Sequence, residues 1–99
     1  MIKVTTKTGF EAEVNENKIS DIRFWKKYKA LTSNEVEDSS KLNACIDMIG
    51  MILSEKDEER LYEHVAGQHD GVAETNYVIE EFSGILEKCA QENNKVKNS

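Results

Sequence analysis

The sequence predicts a mainly α-helical protein with an N-terminal β-hairpin followed by a small bundle of about four helices. Apolar and polar residues alternate over the first fifteen positions on either side of Thr8 and Gly9, which is typical of two strands joined by a turn. From Ser20 onward the apolar residues recur every three or four positions, in four segments separated by polar stretches. The chain therefore changes from a strand period to a helical period.

The predicted hairpin spans residues 1–15. Two strands alone are only marginally stable in water, so the apolar face of the hairpin must pack on the helices that follow. That face consists of Ile2, Val4, Phe10, Ala12 and Val14.

The first predicted helix begins at Ser20, which is a good N-cap, and ends near Leu31. The stretch from Thr32 to Asp38 is polar and predicts a loop, after which Ser39 or Ser40 can cap the second helix. We expect the aromatic residues of the first helix to face the core and its lysines to face solvent. Its apolar residues are Ile22, Phe24, Trp25, Tyr28 and Leu31.

The second predicted helix is apolar around nearly its whole circumference. A core-facing stripe is flanked by a second row, Ala44, Met48 and Met51, which leaves only a narrow polar strip. Such a helix is either central in the fold or covered on one side by another chain. Both interpretations of the methionines, core and interface, stay open because methionine adapts to varied apolar partners. The stripe consists of Leu42, Cys45, Ile46, Ile49, Ile52 and Leu53.

Two further helices complete the predicted bundle. Ser54 opens the third with a variant capping box, and an exposed turn at 67–71 follows, with the first glycine of that turn ending the helix. Thr75 caps the last helix. The single domain is predicted to span residues 1–90, and residues 91–99 are predicted to form a polar tail.

Charge is distributed unevenly along the chain. The net charge is -6, but residues 1–31 hold seven Lys or Arg against four Asp or Glu, while residues 32–99 hold six against fifteen. A net acidic protein is a poor nonspecific ligand for nucleic acid, whose binding requires a positive surface. The sequence also shows no signal-peptide pattern and no apolar run of about 20 residues. We therefore expect a cytoplasmic protein without a nucleic-acid or membrane partner.

No residue pattern predicts a catalytic, cofactor-binding or metal-binding site. Cys45 and Cys89 each lie within an apolar helical pattern, which favours buried, reduced thiols. His64 and His69 are five positions apart with Gly67 between them, a spacing that places them on different faces. An enzyme that uses one of the cysteines with a histidine is the weakest interpretation.

The acidic and basic clusters leave two other interpretations open. The acidic runs at 35–38 and 57–59 are either solvated surfaces or part of a face that mimics DNA. The basic residues of the first helix can instead meet an acidic partner or the acidic part of a second copy, which would give a homo-oligomer. These basic residues are Arg23, Lys26, Lys27 and Lys29.

Five segments carry a resemblance to a known family: KTGFEAEVNEN at 7–17, MIGMIL at 48–53, ERLYEHV at 59–65, HDGVAET at 69–75 and VIEEFSGIL at 78–86. In order and spacing they resemble the short tail assembly chaperones of long-tailed bacteriophages and prophages, especially those of Gram-positive hosts. The chain differs in a more basic first helix and in a longer, more polar loop at 34–40.

The resemblance implies a noncatalytic chaperone that is made in the cytoplasm of the bacterial host and is absent from the mature virion. It would bind the long hydrophobic tape measure protein and keep it soluble while the major tail protein polymerises around it. The alternative is an acidic regulatory protein, or DNA mimic, that inhibits a nucleic-acid-binding partner. The predicted partner-binding residues are Ala44, Met48, Met51, Arg23, Lys26 and Lys27.

Overall fold

A computed structural model describes the backbone of residues 1–98 and the side chains of residues 1–91. Within that part of the chain, a two-stranded antiparallel hairpin is followed by one short and four longer helices, which confirms the predicted mainly helical fold. The elements are β1 (Ile2–Thr5), β2 (Glu11–Val14), α1 (Glu16–Ile19), α2 (Ile22–Thr32), α3 (Asp38–Ile52), α4 (Glu55–Gln68) and α5 (Thr75–Asn98).

The hairpin has the register that its alternating pattern predicts. Ile2 pairs with Val14 and Val4 pairs with Ala12. The turn contains Gly9 at a φ of 91°, a left-handed conformation that glycine adopts without a steric penalty. Four of the five predicted inward residues are buried against the helices, and Ile2 is half-buried.

Two hydrogen bonds donated by backbone amides join the end of the hairpin to the helices. The amide of Asn15 donates to the carbonyl of Ile52 at the end of α3, at 2.9 Å. The amide of Glu13, on β2, donates to a carboxylate oxygen of Asp57 in the first turn of α4, at 3.2 Å. These contacts seat the hairpin where α3 passes into α4.

Helix α5 packs against β1, α3 and α4. Its inward residues repeat at the helical spacing that the sequence predicts, and they meet the buried faces of the other elements. The largest buried side chains are Phe24, Met48, Ile49, Ile52, Leu61, Phe82 and Ile85.

Two of the helix starts differ from the predicted ones, by one residue at α2 and by two or three residues at α3. Asp21, not Ser20, caps α2, because its carboxylate accepts the amide of Arg23 at 2.8 Å. Helix α3 begins at Asp38, before the predicted serine caps, and its N-cap residue Glu37 makes no side-chain capping bond. Ser54 caps α4 as predicted, accepting the amide of Asp57 at 3.2 Å.

The helix ends differ more. Helix α4 continues through Gly67 to Gln68, since a glycine in a helix costs only about 1 kcal/mol. The residues that take left-handed backbone angles are Asp70 and Gly71, at φ 56° and 84°, and they end the helix. Helix α5 extends over residues 91–98, which were predicted to form a polar tail, and Ser99 lies outside the described residues.

Candidate functional site

The structure places two of the predicted partner-binding residues in the core. Met48 is 0% exposed and Ala44 is buried as well, which favours the core interpretation of these two residues over the interface interpretation. Met51 is half-buried and packs on the core. The second apolar row of α3 is covered because α2 packs closely along α3. The exposed apolar residue of α3 is instead Ile46, from the predicted core stripe, at 40% exposure.

Two of the three predicted basic partner-binding residues form ion pairs within the chain. The guanidinium of Arg23 lies 2.6 Å from a carboxylate oxygen of Asp21, and the Lys27 ammonium lies 2.9 Å from one of Asp47. The hydrogen bonds from Arg23 lower the pKa of Asp21 to about 2. Lys26 is exposed. The basic cluster is therefore divided between internal pairs and solvent.

The sequence predicts that the aromatic residues of α2 face the core, and this is wrong for two of the three. Phe24 is buried, but Trp25 is 47% exposed and Tyr28 is 37% exposed. The Trp25 ring packs edge-on against both neighbours, with centroid distances of 5.6 Å to Phe24 and 5.5 Å to Tyr28. Because successive helical residues are rotated by about 100°, Phe24 and Leu31 point inward while Trp25 and Tyr28 point along the surface.

These two aromatic side chains form one wall of an apolar groove of about 560 Å³ between α2 and α5. Ile79 and Leu86, both half-buried, form the opposite wall. The lining runs from position 79 to 90 of α5, which is about 16 Å at 1.5 Å per residue. We call this feature the α2–α5 groove and define it by Trp25, Tyr28 and Leu31 from α2 and by Ile79, Leu86 and Glu87 from α5.

The lining of the groove has the chemistry that suits recognition of an amphipathic helix. It is mainly apolar and includes the aromatic rings of Trp25 and Tyr28, which supply large contact area at low conformational entropy cost. Tryptophan and tyrosine are also the residues most enriched at binding hot spots. The sequence indicates this surface only through the apolar arc of the first predicted helix, which is α2 in the structure. That arc is wider than one core-facing stripe.

A second candidate site is a polar cluster where the hairpin turn meets α4 and α5. Glu81 is buried, and one of its carboxylate oxygens accepts the hydroxyl of Thr6 at 3.1 Å and the hydroxyl of Thr8. The Thr8 hydroxyl oxygen also lies 2.9 Å from Nε2 of His64. Because Thr8 donates its one proton to Glu81, we assign the proton of the second bond to His64.

The geometry of the polar cluster differs from that of a nucleophile–histidine–acid triad. In a triad the acid contacts the histidine nitrogen that faces away from the nucleophile. Here the Glu81 oxygen that contacts Thr8 lies 3.7 Å from Nε2 of His64, the same nitrogen that faces the hydroxyl. The cluster instead ties the hairpin turn to two helices. No local spacing could have revealed it, since its members are up to 75 positions apart.

The cysteines are free and buried. Burial raises the pKa of Cys45 and of Cys89 to about 11, so both are protonated thiols at neutral pH. A thiolate is the nucleophilic form of cysteine, and a buried thiol of this kind is inert. The structure thus adds no support to the cysteine enzyme considered from sequence.

Two other kinds of functional feature are absent from the described residues. Among those residues, no group of three or more His, Cys, Asp or Glu side chains is placed to hold a metal ion. Within the same residues, no helix combines the length and the apolar character needed to cross a membrane.

Comparison with known proteins identified no relative. No protein-family model matches the chain, and neither the curated proteins nor the solved structures contain a match. The likeness to tail assembly chaperones therefore stays a prediction from the sequence.

Proposed function

We propose that the protein is a noncatalytic phage tail assembly chaperone that binds the tape measure protein and keeps it soluble while the tail tube assembles. The proposal includes the host cytoplasm as the place of action, absence from the mature virion, and the major tail protein as a further partner. The single observation that supports binding most strongly is the α2–α5 groove, where Trp25 and Tyr28 remain exposed beside a complete core.

The groove suits the client that the resemblance implies. A long hydrophobic protein presents apolar helical segments that aggregate unless they are covered. An amphipathic helix can place its apolar stripe between two helices of a partner, with anchor residues spaced at i, i+3, i+4 and i+7. We therefore assign client binding to the groove and not to the second apolar row of α3, which the sequence suggested.

The alternative, an acidic protein that mimics DNA, requires a continuous and available acidic face. Part of the second acidic run is engaged within the chain, because Asp57 pairs with Arg60 at 2.8 Å and Glu58 accepts the hydroxyl of Tyr62 at 2.7 Å. We therefore favour the chaperone.

Co-expression with the tape measure protein tests the proposal. The wild-type chain should keep the client soluble and co-purify with it, whereas a Trp25→Ala, Tyr28→Ala double variant should lose most of the client. Val72→Ala is the matched control, since Val72 is 61% exposed but lies outside the groove. Circular dichroism confirms that each variant is folded.

Three outcomes would refute the proposal or its site. A client that stays insoluble with the wild-type chain, with no complex recovered, refutes the chaperone function. If the double variant retains the client as well as the wild type does, the groove is not the binding site. Equal loss of the client in the Val72 control would attribute the effect to general surface changes.

A further inference from the structure

The two walls of the α2–α5 groove carry opposite charges along their outer edges. On α2, exposed Lys29 lies one helical turn after Trp25 and so follows the same edge of the helix. On α5, Glu87 lines the groove, and exposed Glu80 lies two helical turns before it on the same strip. Among residues 1–91, none of these three side chains forms an intramolecular salt bridge.

We propose that the groove holds an amphipathic helix in one direction only, selected by these opposite charges. The occupant carries acidic residues along one edge of its apolar stripe, facing α2, and basic residues along the other edge, facing α5. The inference rests on the proposed function only in taking the groove as the client site, and it adds the chemistry and the orientation of the bound segment.

The direction follows from the geometry of a helix lying in a trough. If a helix is turned end for end while its apolar stripe stays in the groove, its left and right edges exchange places. A helix with one acidic and one basic edge therefore meets favourable charges in one direction and unfavourable charges in the other. A helix with two edges of the same sign meets one repulsive wall in either direction.

The apolar floor and the charged edges have separate effects. Burial of the occupant's apolar stripe against Trp25 and Tyr28 supplies affinity, because the hydrophobic effect has no directional preference. Exposed charge pairs contribute little energy each, about 0.2 to 1 kcal/mol, which changes a population by roughly 1.4-fold to fivefold per pair. Three edge charges acting together are enough to favour one orientation.

Two synthetic peptides test the inference. Both are helices of about 18 residues, roughly 27 Å long, with the same apolar stripe and the same composition. Viewed from the N-terminus with the apolar stripe facing down, the first peptide has Glu on its left edge and Lys on its right edge. The second peptide has the two edges exchanged. Fluorescence of Trp25, which is the only tryptophan and lies in the groove, reports binding of either peptide.

A nitroxide at the N-terminus of each peptide reports its direction. In the ¹⁵N-labelled protein, one peptide should broaden the amide signal near Ile79 and the other should broaden that of Ala90, at the far end of the lining. In about 1 M salt, where the Debye length is about 3 Å, this difference should disappear while binding persists. A peptide with Glu on both edges should bind at least about threefold more weakly, from the loss of favourable exposed pairs.

A charge-exchanged protein provides the matched control. The variant Lys29→Glu, Glu80→Lys, Glu87→Lys keeps the apolar lining and changes only exposed side chains. It should bind both peptides with their directions reversed. The variant also separates an effect of the walls from an effect of peptide sequence.

Several results would overturn the inference. If both peptides broaden the same end, or both ends equally at low salt, the charges do not set direction. If neither peptide changes the fluorescence of Trp25, the groove is not a helix site. A dimer of the chain that neither peptide dissociates would identify a second copy as the occupant. Directional peptide binding without capture of the tape measure protein would support this inference and refute the proposed function.

Discussion

Met48 and Met51 lie three residues apart on α3 and provide a paired test of how the core is built. Met48 is 0% exposed, whereas Met51 is half-buried at the edge of the core. Truncation of a fully buried methionine to alanine removes its transfer free energy and leaves a cavity, at a cost of about 2 to 5 kcal/mol. We expect Met48→Ala to reach that range and Met51→Ala to cost about 1 kcal/mol.

Substitution by glutamate should widen the difference in stability between variants at Met48 and variants at Met51. In Met48→Glu the carboxylate would be buried without a cationic partner, which costs several kcal/mol, against a total stability of about 5 to 15 kcal/mol for a domain of this kind. We expect that variant to be largely unfolded. Met51→Glu should stay folded, because Met51 shares a shallow surface depression with Lys18 and Lys27.

Urea unfolding followed by circular dichroism, and independently by Trp25 fluorescence, measures these differences. Coincident transitions and an unchanged urea dependence would show that the free energies of unfolding are comparable among variants. The reasoning is refuted if Met48→Glu unfolds at the wild-type urea concentration while client capture is lost. That result would make Met48 an interface residue.

Three other predictions concern the polar cluster, the thiols and the α2 cap. Glu81→Ala removes the acceptor of two hydroxyls and should cost about 1 to 3 kcal/mol in urea unfolding, whereas Glu80→Ala, at the exposed neighbour, should change stability by less than about 0.5 kcal/mol. Burial raises the pKa of Cys45 and Cys89 from 9.0 to about 11, so their contribution to stability is present below pH 9 and is lost as the pH rises toward 11. Thermal unfolding at pH 8 and 10.5 should show this loss of stability, and the loss should be smaller in single Cys→Ser variants. The pKa of Asp21 is lowered from 3.8 to about 2, so its contribution is lost as the pH falls through that interval, and Asp21→Asn, which keeps an N-cap oxygen, should show a smaller acid dependence in the same assay.

The sequence was sufficient to predict the parts of the fold that depend on local pattern. The hairpin register follows from alternation with period two, and Ser54 caps α4 because its hydroxyl reaches an amide three residues ahead. The predicted start of α2 is one residue too early because Ser20 and Asp21 are both good caps. The Asp21 carboxylate gains a further bond from the Arg23 side chain. Neighbouring caps of similar strength cannot be ranked from sequence alone.

The candidate sites depended on information that the sequence does not carry locally. The polar cluster joins Thr8 to His64 and Glu81, and hydrogen bonds across 56 and 73 positions leave no spacing pattern. The α2–α5 groove needs the relative placement of two helices that are far apart in sequence. Its aromatic wall was visible as an apolar arc, but the same pattern also describes a buried helix.

The packing of α2 and α3 explains why a wide apolar arc is partly exposed in one helix and mostly buried in the other. Both helices have an apolar arc wider than a single core-facing stripe. Helix α3 is enclosed by α1, α2, α4 and α5, so Ala44 and Met48 of its second row are buried and Met51 is half-buried. Helix α2 packs mainly on α3 and α1, so among the described residues no helix packs closely over the part of its arc that includes Trp25. A binding surface formed in this way lies outside the core, which is why substitutions at Trp25 should abolish client capture without unfolding the protein, whereas those at Met48 should unfold it.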